Sequence, residues 1–225
     1  MFYVDIHTHI KKPAPEDVLA VNNVMAGEGL SQSISVYNSL GIHPWQLLSM
    51  KAKEIEKRFI KDLFIPGLCA LGEAGIDRAI AVPVELQTQI FELQADLAVE
   101  LHLPLLIHAV RSYADLIHIK KQFHKASSWI VHGFAGNKQT AEQLLAHDIL
   151  LSFGPSILNE GHKSSEVISQ VPISCIFLET DDSGMDISLV YNRAAQLLGL
   201  EVMELKQKIL ANALQHFRIK NPIPG

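Results

Sequence analysis

The sequence predicts an α/β fold of the TIM-barrel type, distorted near its start, and three observations carry that expectation. From residue 67 onward, short apolar runs alternate with longer amphipathic stretches, the pattern of buried parallel strands joined by helices. Acidic and imidazole side chains fall where those apolar runs end, as they do at the C-terminal mouth of a barrel. The length of 225 residues fits one barrel at the lower end of its usual size, although length alone also admits two small domains. With no internal repeat, low-complexity tract or linker, a single domain over 1–225 is expected.

The elements follow in order. Val4 to His9 reads as a strand, and the prolines of KKPAP after it forbid a helix. VLAVNNV (18–24) and SISVYNSLGI (33–42) both read as strands, and the AGEGLSQS between them is too short for a crossover helix. The first two barrel helices are therefore expected to be reduced or lost, with Trp45 to Leu63 the first substantial one. Strands are then expected at GLCAL (67–71), PLLIH (104–108), SWIVH (128–132), DILLSF (148–153) and SCIFLE (174–179). Their nearly continuous apolar character suits strands covered on both faces. Between them Val84 to His102 carries Leu86, Ile90, Leu93, Leu97 and Leu101 on one helical face. Further helices are expected at 112–124, 137–147, 157–170 and 187–199. A last one at 201–216 carries Val202, Leu205, Ile209 and Leu210.

Composition narrows the function classes. The chain is 48% hydrophobic and 19% charged, as a compact globular protein is. Its net charge of −5 argues against a broad basic surface for nucleic acid, yet not against a nuclease whose metals supply positive charge locally. The stretch His118 to Lys125 reads as the solvated face of an amphipathic helix rather than a basic stripe with interleaved aromatics. Cys69 and Cys175, the two cysteines, lie in apolar runs and read as small buried hydrophobes. No disulfide framework or thiolate zinc site is expected, and a reducing cytoplasm is. The apolar start of the chain is interrupted by Asp5, His7 and His9, so no secretory leader is expected. No run reaches the roughly 20 apolar residues that span a bilayer, and no protein partner is evident.

The 11 histidines matter through their positions. In Asp5-Ile-His7-Thr-His9 the two histidines share a strand face and can converge on one ion, or serve as structural residues. Glu73, His108, His132 and Asp181 each follow an apolar run. Their separations match one or two strand-helix-strand units of roughly 25–35 residues. A strand-terminal histidine alone is more often a capping or hydrogen-bonding residue than a ligand, and Glu73 alone reads as a loop carboxylate; six such residues at one end of successive strands do not read so. Four imidazoles and two carboxylates suit borderline divalent ions such as zinc, manganese or iron.

In this order DIHTH, LGIHP, ALGEAGID, LPLLIHAVR, VHGFAGN and LETDDS resemble the motifs of TatD-type metal-dependent hydrolases. These are barrels of the amidohydrolase-like superfamily, many of them deoxyribonucleases. The resemblance runs from Asp5 to Asp182. It implies two divalent ions, zinc, manganese or magnesium. His7 and His9 would bind one, with Asp181 at or near it; His108 and His132 would bind the other, and Glu73 would bridge them. It makes Asp181 the general base toward water, places His43 beside the substrate or its leaving group, and turns Arg111 toward a phosphate oxygen. A structural His43 and an Arg111 paired with Asp115 are the alternatives. It implies a phosphodiesterase acting on DNA ends or small nucleic-acid fragments; the same chemistry also cleaves amides and esters. Three departures bear on substrate contacts: Asp181 is followed by Asp182-Ser183-Gly184 instead of a small residue, a proline and an aromatic. Asp77 is followed by Arg78-Ala79 instead of aromatics, and the N-terminal region is short.

Overall fold

The computed structural model describes residues 2–9, 13–29, 37–123 and 127–220. The strands are β1 (Tyr3–Thr8), β2 (Val18–Met25), β3 (Tyr37–Gly41), β4 (Leu68–Asp77), β5 (Leu105–Val110), β6 (Trp129–Val131), β7 (Ile149–Phe153) and β8 (Ile176–Leu178). They form one sheet in sequence order, every neighbouring pair parallel. Such a sheet curls until its outer strands meet. Here β1 meets the far end through one bridge, Thr8 with Asp181, just beyond β8. Deeper in the seam, the Tyr191 hydroxyl accepts from the Val4 amide and donates to the Val4 carbonyl, both at 3.0 Å.

Helices α1 (Ala52–Asp62), α2 (Val84–Glu100), α3 (Tyr113–Lys120), α4 (Lys138–Leu145) and α5 (Lys163–Val167) follow β3 to β7 in turn. α6 (Ile187–Leu198) and α7 (Val202–His216) follow β8. Among the described residues no helix lies between β1 and β2 or between β2 and β3; turns at 16–17 and 26–28 stand there instead. Over the described residues this agrees with the expected reduction or loss of the first two helices. Residues 33–36 of the expected third strand, and His124 and Lys125 of the solvated helix face, lie outside the described residues.

Several expectations need correction. The helix expected from Trp45 to Leu63 is two pieces, a 3-10 turn at Pro44–Leu48 and α1, because Lys51 has an extended backbone that starts a new helix. The helix expected at 157–170 is likewise broken, with Gly161 at φ +79° and α5 starting only after His162. β4 runs on to Asp77, so Glu73 sits within a strand rather than at its end. Cys69 is buried, but Cys175 is only half-buried.

The buried face of α2 is also rotated from the leucine stripe. It is formed by Gln87, Ile90, Phe91, Gln94, Ala95 and Ala98. The two glutamines lie seven residues apart on one helical face and are buried because backbone groups satisfy them. Gln94 accepts from the Ile42 amide at 2.7 Å and donates to the Ile42 carbonyl at 3.2 Å. Gln87 accepts from the Asp77 amide at 2.7 Å and donates to the Asp77 carbonyl at 3.1 Å. One helix thus fixes the segments that carry His43 and Asp77. Close strand approach does the rest around Glu73. A side chain at Gly75 would collide with the His108 carbonyl oxygen, and one at Gly41 would come within 2.6 Å of the Glu73 carbonyl oxygen.

Candidate metal centre

The strand arrangement brings all six expected ligands together around one carboxylate. Glu73 lies inside β4, buried, and its two oxygens face different groups. On Oε1 converge His132 Nε2 at 2.7 Å, His108 Nδ1 at 2.9 Å and His43 Nε2 at 3.2 Å. Facing Oε2 are His7 Nε2 at 3.4 Å and His9 Nε2 at 3.7 Å, and the same two nitrogens lie 3.5 and 3.6 Å from Asp181 Oδ1. Glu73 is steadied from β2: its amide donates to Asn23 Oδ1 at 3.0 Å, and Asn23 Nδ2 donates to Oε2 at 3.5 Å.

The residues fit a divalent cation on two grounds. Donors held about 2.1 Å from one tetrahedral ion stand roughly 3.4 Å apart. The separations among His7, His9, Glu73 and Asp181 have that size, and exceed those of good hydrogen bonds. Both ring nitrogens of His7 are buried and without a hydrogen-bond partner, a costly arrangement that an ion at Nε2 relieves. The electrostatics run the same way. Burial and His132 disfavour a proton on His7, yet Asp181 and Glu73 hold its pKa up at about 9. Burial likewise opposes charge on His132, but Glu73 and Glu179 push its pKa well above the ordinary value. Despite burial, His132, His108 and His43 hold the Glu73 carboxyl well below the usual range. The cluster draws positive charge into itself.

Behind the imidazoles stand carboxylates that sequence reasoning did not single out. Asp77 Oδ2 lies 3.3 Å from His108 Nε2 and accepts from the Trp45 indole at 2.8 Å, while Oδ1 accepts from the Ala79 amide at 2.8 Å. Burial raises the Asp77 carboxyl, but these donors outweigh it and hold it below the usual value. Glu179 Oε1 lies 3.5 Å from His132 Nδ1 and accepts from the Gly133 amide at 2.6 Å; Oε2 accepts from Ser152. Asp77 is placed to accept the outer N–H of His108, whereas Glu179 faces the outer nitrogen of His132 at a longer distance, without a hydrogen bond. A carboxylate behind an imidazole favours the tautomer whose inner nitrogen can ligate an ion. The signal was present in spacing: Glu73, Gly75 and Asp77 alternate on one strand face.

His43 differs. Its Nδ1 accepts from the Trp45 amide at 3.1 Å, so a neutral ring carries its proton on Nε2. Burial lowers its pKa, keeping it neutral. It turns an N–H, not a lone pair, toward Glu73. Asp181 sits in left-handed backbone, φ +53°, as does Arg111 at φ +55°, a conformation uncommon for non-glycine residues. Asp115 pairs with Arg78 through two 2.7 Å bonds, and Arg111 is exposed. A cavity of about 610 Å³ opens beside this cluster, lined by His9, Pro15, Asp181, Asp182, Met185 and Asp186 among others. One flank of the mouth is thus acidic, and the other carries Arg111, Arg78 and Trp45.

Among the described residues, no helix is long and apolar enough to cross a membrane. The sequence model of one protein family, described as TatD related DNase, matches residues 17–218. An uncharacterised metal-dependent hydrolase of Bacillus subtilis, YabD, is 30% identical over 150 residues, 65% of this chain and 58% of the Bacillus protein. The chain therefore spans less than two thirds of that relative. Human deoxyribonuclease TATDN3 is 27% identical over 201 residues, 79% of this chain and 73% of the human one. The crystal structure of YjjV, a TatD homologue from Escherichia coli, superposes with a TM-score of 0.82 at 22% identity, covering 97% of this chain and 98% of the other.

Proposed function

The chain belongs to the TatD-related DNase family, and on that premise we propose that it is a two-metal hydrolase that cleaves phosphodiesters at DNA ends or in short nucleic-acid fragments. The observation that carries the reading is the division of Glu73, one oxygen toward His108 and His132 and the other toward His7 and His9. His7, His9 and Asp181 would hold one divalent ion, zinc, manganese or magnesium. His108 and His132 would hold the second, with Glu73 between them. Bound there, the pair supplies water activated near neutral pH and positive charge opposite the reacting group.

The chain's own side chains do the rest. The Asp181 carboxylate is about one third exposed (36%), so water reaches it. Burial raises its pKa, but His7 and His132 keep it ionised below the usual carboxylate value. It takes the proton from the attacking water, and His43, whose Nε2–H faces Glu73, lies beside the substrate or its leaving group as a neutral hydrogen-bond donor. Arg111, free of Asp115, meets a phosphate oxygen with its planar fork. The two unpaired cysteines suit a reducing cytoplasm.

The acidic flank formed by Asp182 and Asp186 favours a second reading, hydrolysis of amides or esters that carry no polyanion. A comparison of kcat/KM decides between them. The substrates are a single-stranded oligonucleotide, a small phosphodiester, a dipeptide and an aminoacyl ester, each with zinc, manganese and magnesium. Phosphodiesters are expected to win; a dipeptide or ester ahead by more than about tenfold overturns the nuclease reading.

A further inference from the structure

We propose that Trp45 is a stacking platform for a nucleobase adjoining the cleaved bond, a subsite that rests on the nuclease reading above. Among the exposed large apolar side chains of the described residues, Trp45 alone is tied directly to the group around Glu73. It is 56% exposed, yet its edge is fixed, because the indole N–H donates to Asp77 Oδ2 at 2.8 Å. Asp77 is itself held by the Ala79 amide and by Gln87. An exposed aromatic ring ordinarily loses orientational freedom when a ligand stacks on it; here a buried carboxylate has already fixed the ring.

The position suits a base. His43 meets the indole at 88° with centroids 5.1 Å apart, and His108 meets it at 74° and 6.3 Å. Neither histidine stacks flat on the ring. Both also face Glu73 Oε1, at 3.2 and 2.9 Å. A ring stacked on Trp45 therefore lies within one nucleotide of the reacting phosphate. The exposed cationic residue of this flank is Arg111, whereas the Arg78 guanidinium is paired with Asp115. Asp77 pairs with Val110, the residue before exposed Arg111, and the Arg78 amide donates to the Val110 carbonyl at 3.0 Å. An aromatic face with a cationic side chain on the same flank is the combination that binds single-stranded nucleic acid with little sequence preference, since every base has a π-face. The opposite flank, with Asp182 and Asp186 lining the cavity, repels phosphates. The base and its adjoining backbone belong on the Trp45 side.

Stacking of a base on an aromatic side chain is worth roughly 5- to 150-fold in binding. The test compares thymidine dinucleotides with the same dinucleotides carrying a tetrahydrofuran in place of one nucleoside or the other. Wild-type enzyme is expected to prefer the fully based dinucleotide by about tenfold in kcat/KM, chiefly through KM, and Trp45→Ala to abolish that preference while Trp45→Phe retains most of it. Equal losses on based and base-free substrates in Trp45→Ala would overturn the proposal and assign Trp45 to holding Asp77 alone. A binding arm does not depend on turnover. In a Trp129→Phe background Trp45 is the remaining tryptophan, and its fluorescence is titrated with thymidine monophosphate and with deoxyribose 5-phosphate. Quenching saturable by the nucleotide and at least tenfold weaker with the sugar phosphate supports the platform. Equal quenching, or none, overturns it, including in an enzyme that cleaves phosphodiesters well. Nucleotide-specific quenching in a protein that hydrolyses only amides or esters would overturn the nuclease reading and leave the base-binding surface standing.

Discussion

Replacing Asp77 by asparagine separates what holds the fold from what holds the metal. Its carboxylate serves three donors, the Trp45 indole and His108 Nε2 on Oδ2 and the Ala79 amide on Oδ1, and it is 2% exposed. Asparagine offers one oxygen. Its amide must then face either the Ala79 N–H or the pair on the other side, leaving a buried donor unpaired at a cost of about 1–3 kcal/mol. In a chain of this length that lowers Tm by roughly 2–12 °C. The second effect is on His108. Without an anionic acceptor at Nε2, the ring no longer presents a fixed lone pair at Nδ1, and loss of such an outer partner weakens metal binding about 10- to 100-fold. Calorimetric titration of metal-free protein with zinc reads this directly. The binding step at His108 and His132 is expected to weaken by that factor, and the step at His7 and His9 to change by less than about threefold. A variant with lowered Tm but both zinc affinities within about threefold of wild type would refute the reasoning and leave Asp77 as a structural staple.

Other substitutions probe the same site from different sides. Glu73→Gln removes the charge on which both donor groups converge, so a folded variant is expected to lose bound metal at both positions, and elemental analysis showing full occupancy would contradict it. Asp181→Asn, with metals restored to full occupancy, is expected to lose about 10²–10⁴-fold in kcat; wild-type turnover would remove Asp181 from the mechanism. Gly75→Ala drives a methyl group against the His108 carbonyl. It is expected to cost about 1–3 kcal/mol by overpacking, measured by denaturant unfolding, and an unchanged midpoint would show that β5 yields without strain. Burial raises the pKa of Cys69 and leaves its thiol protonated and unreactive. A thiol reagent is therefore expected to titrate Cys175 in the native protein and Cys69 only after unfolding; rapid labelling of both would contradict the packing of β4.

The parts of this molecule legible in its sequence are those governed by local pattern. Strand-helix alternation after residue 67 placed β4 to β8 in order, and the short segments before it foretold the missing helices. That His7 and His9 lie side by side was legible because alternate strand residues share a face. That Glu73, His108, His132 and Asp181 gather near them was legible because polar groups ended or followed apolar runs. Asp77, Glu179 and Asn23 escaped because their work is done through partners distant in sequence, across strands whose register the sequence does not state. Gln87 and Gln94 escaped for a related reason. A buried amide looks polar to any periodicity argument, and only the backbone groups of Asp77 and Ile42 explain why α2 turns those residues inward. Trp45 was assigned to a helix by its neighbours, whereas His43 and Pro44 instead end the preceding segment and open a 3-10 turn.

The join between the first strand and the last has a bearing on how the molecule comes into being. His9 donates its amide to the Asp181 carbonyl at 3.2 Å, and Asp181 donates its own to the His7 carbonyl at 2.9 Å. The backbone of the candidate ligands is thus itself the stitching of the ring, between residues far apart in sequence. During synthesis His7 and His9 leave the ribosome well before Asp181 and wait for nearly the whole barrel to be made. Contacts of such sequence separation form late in folding. An ion held between His7, His9 and Asp181 would act as a clasp on a finished ring, and its binding energy would go to keeping that ring shut. Chelation would then loosen the barrel first along this join, and the amides of His9 and Asp181 would exchange their hydrogens before those of the strands opposite.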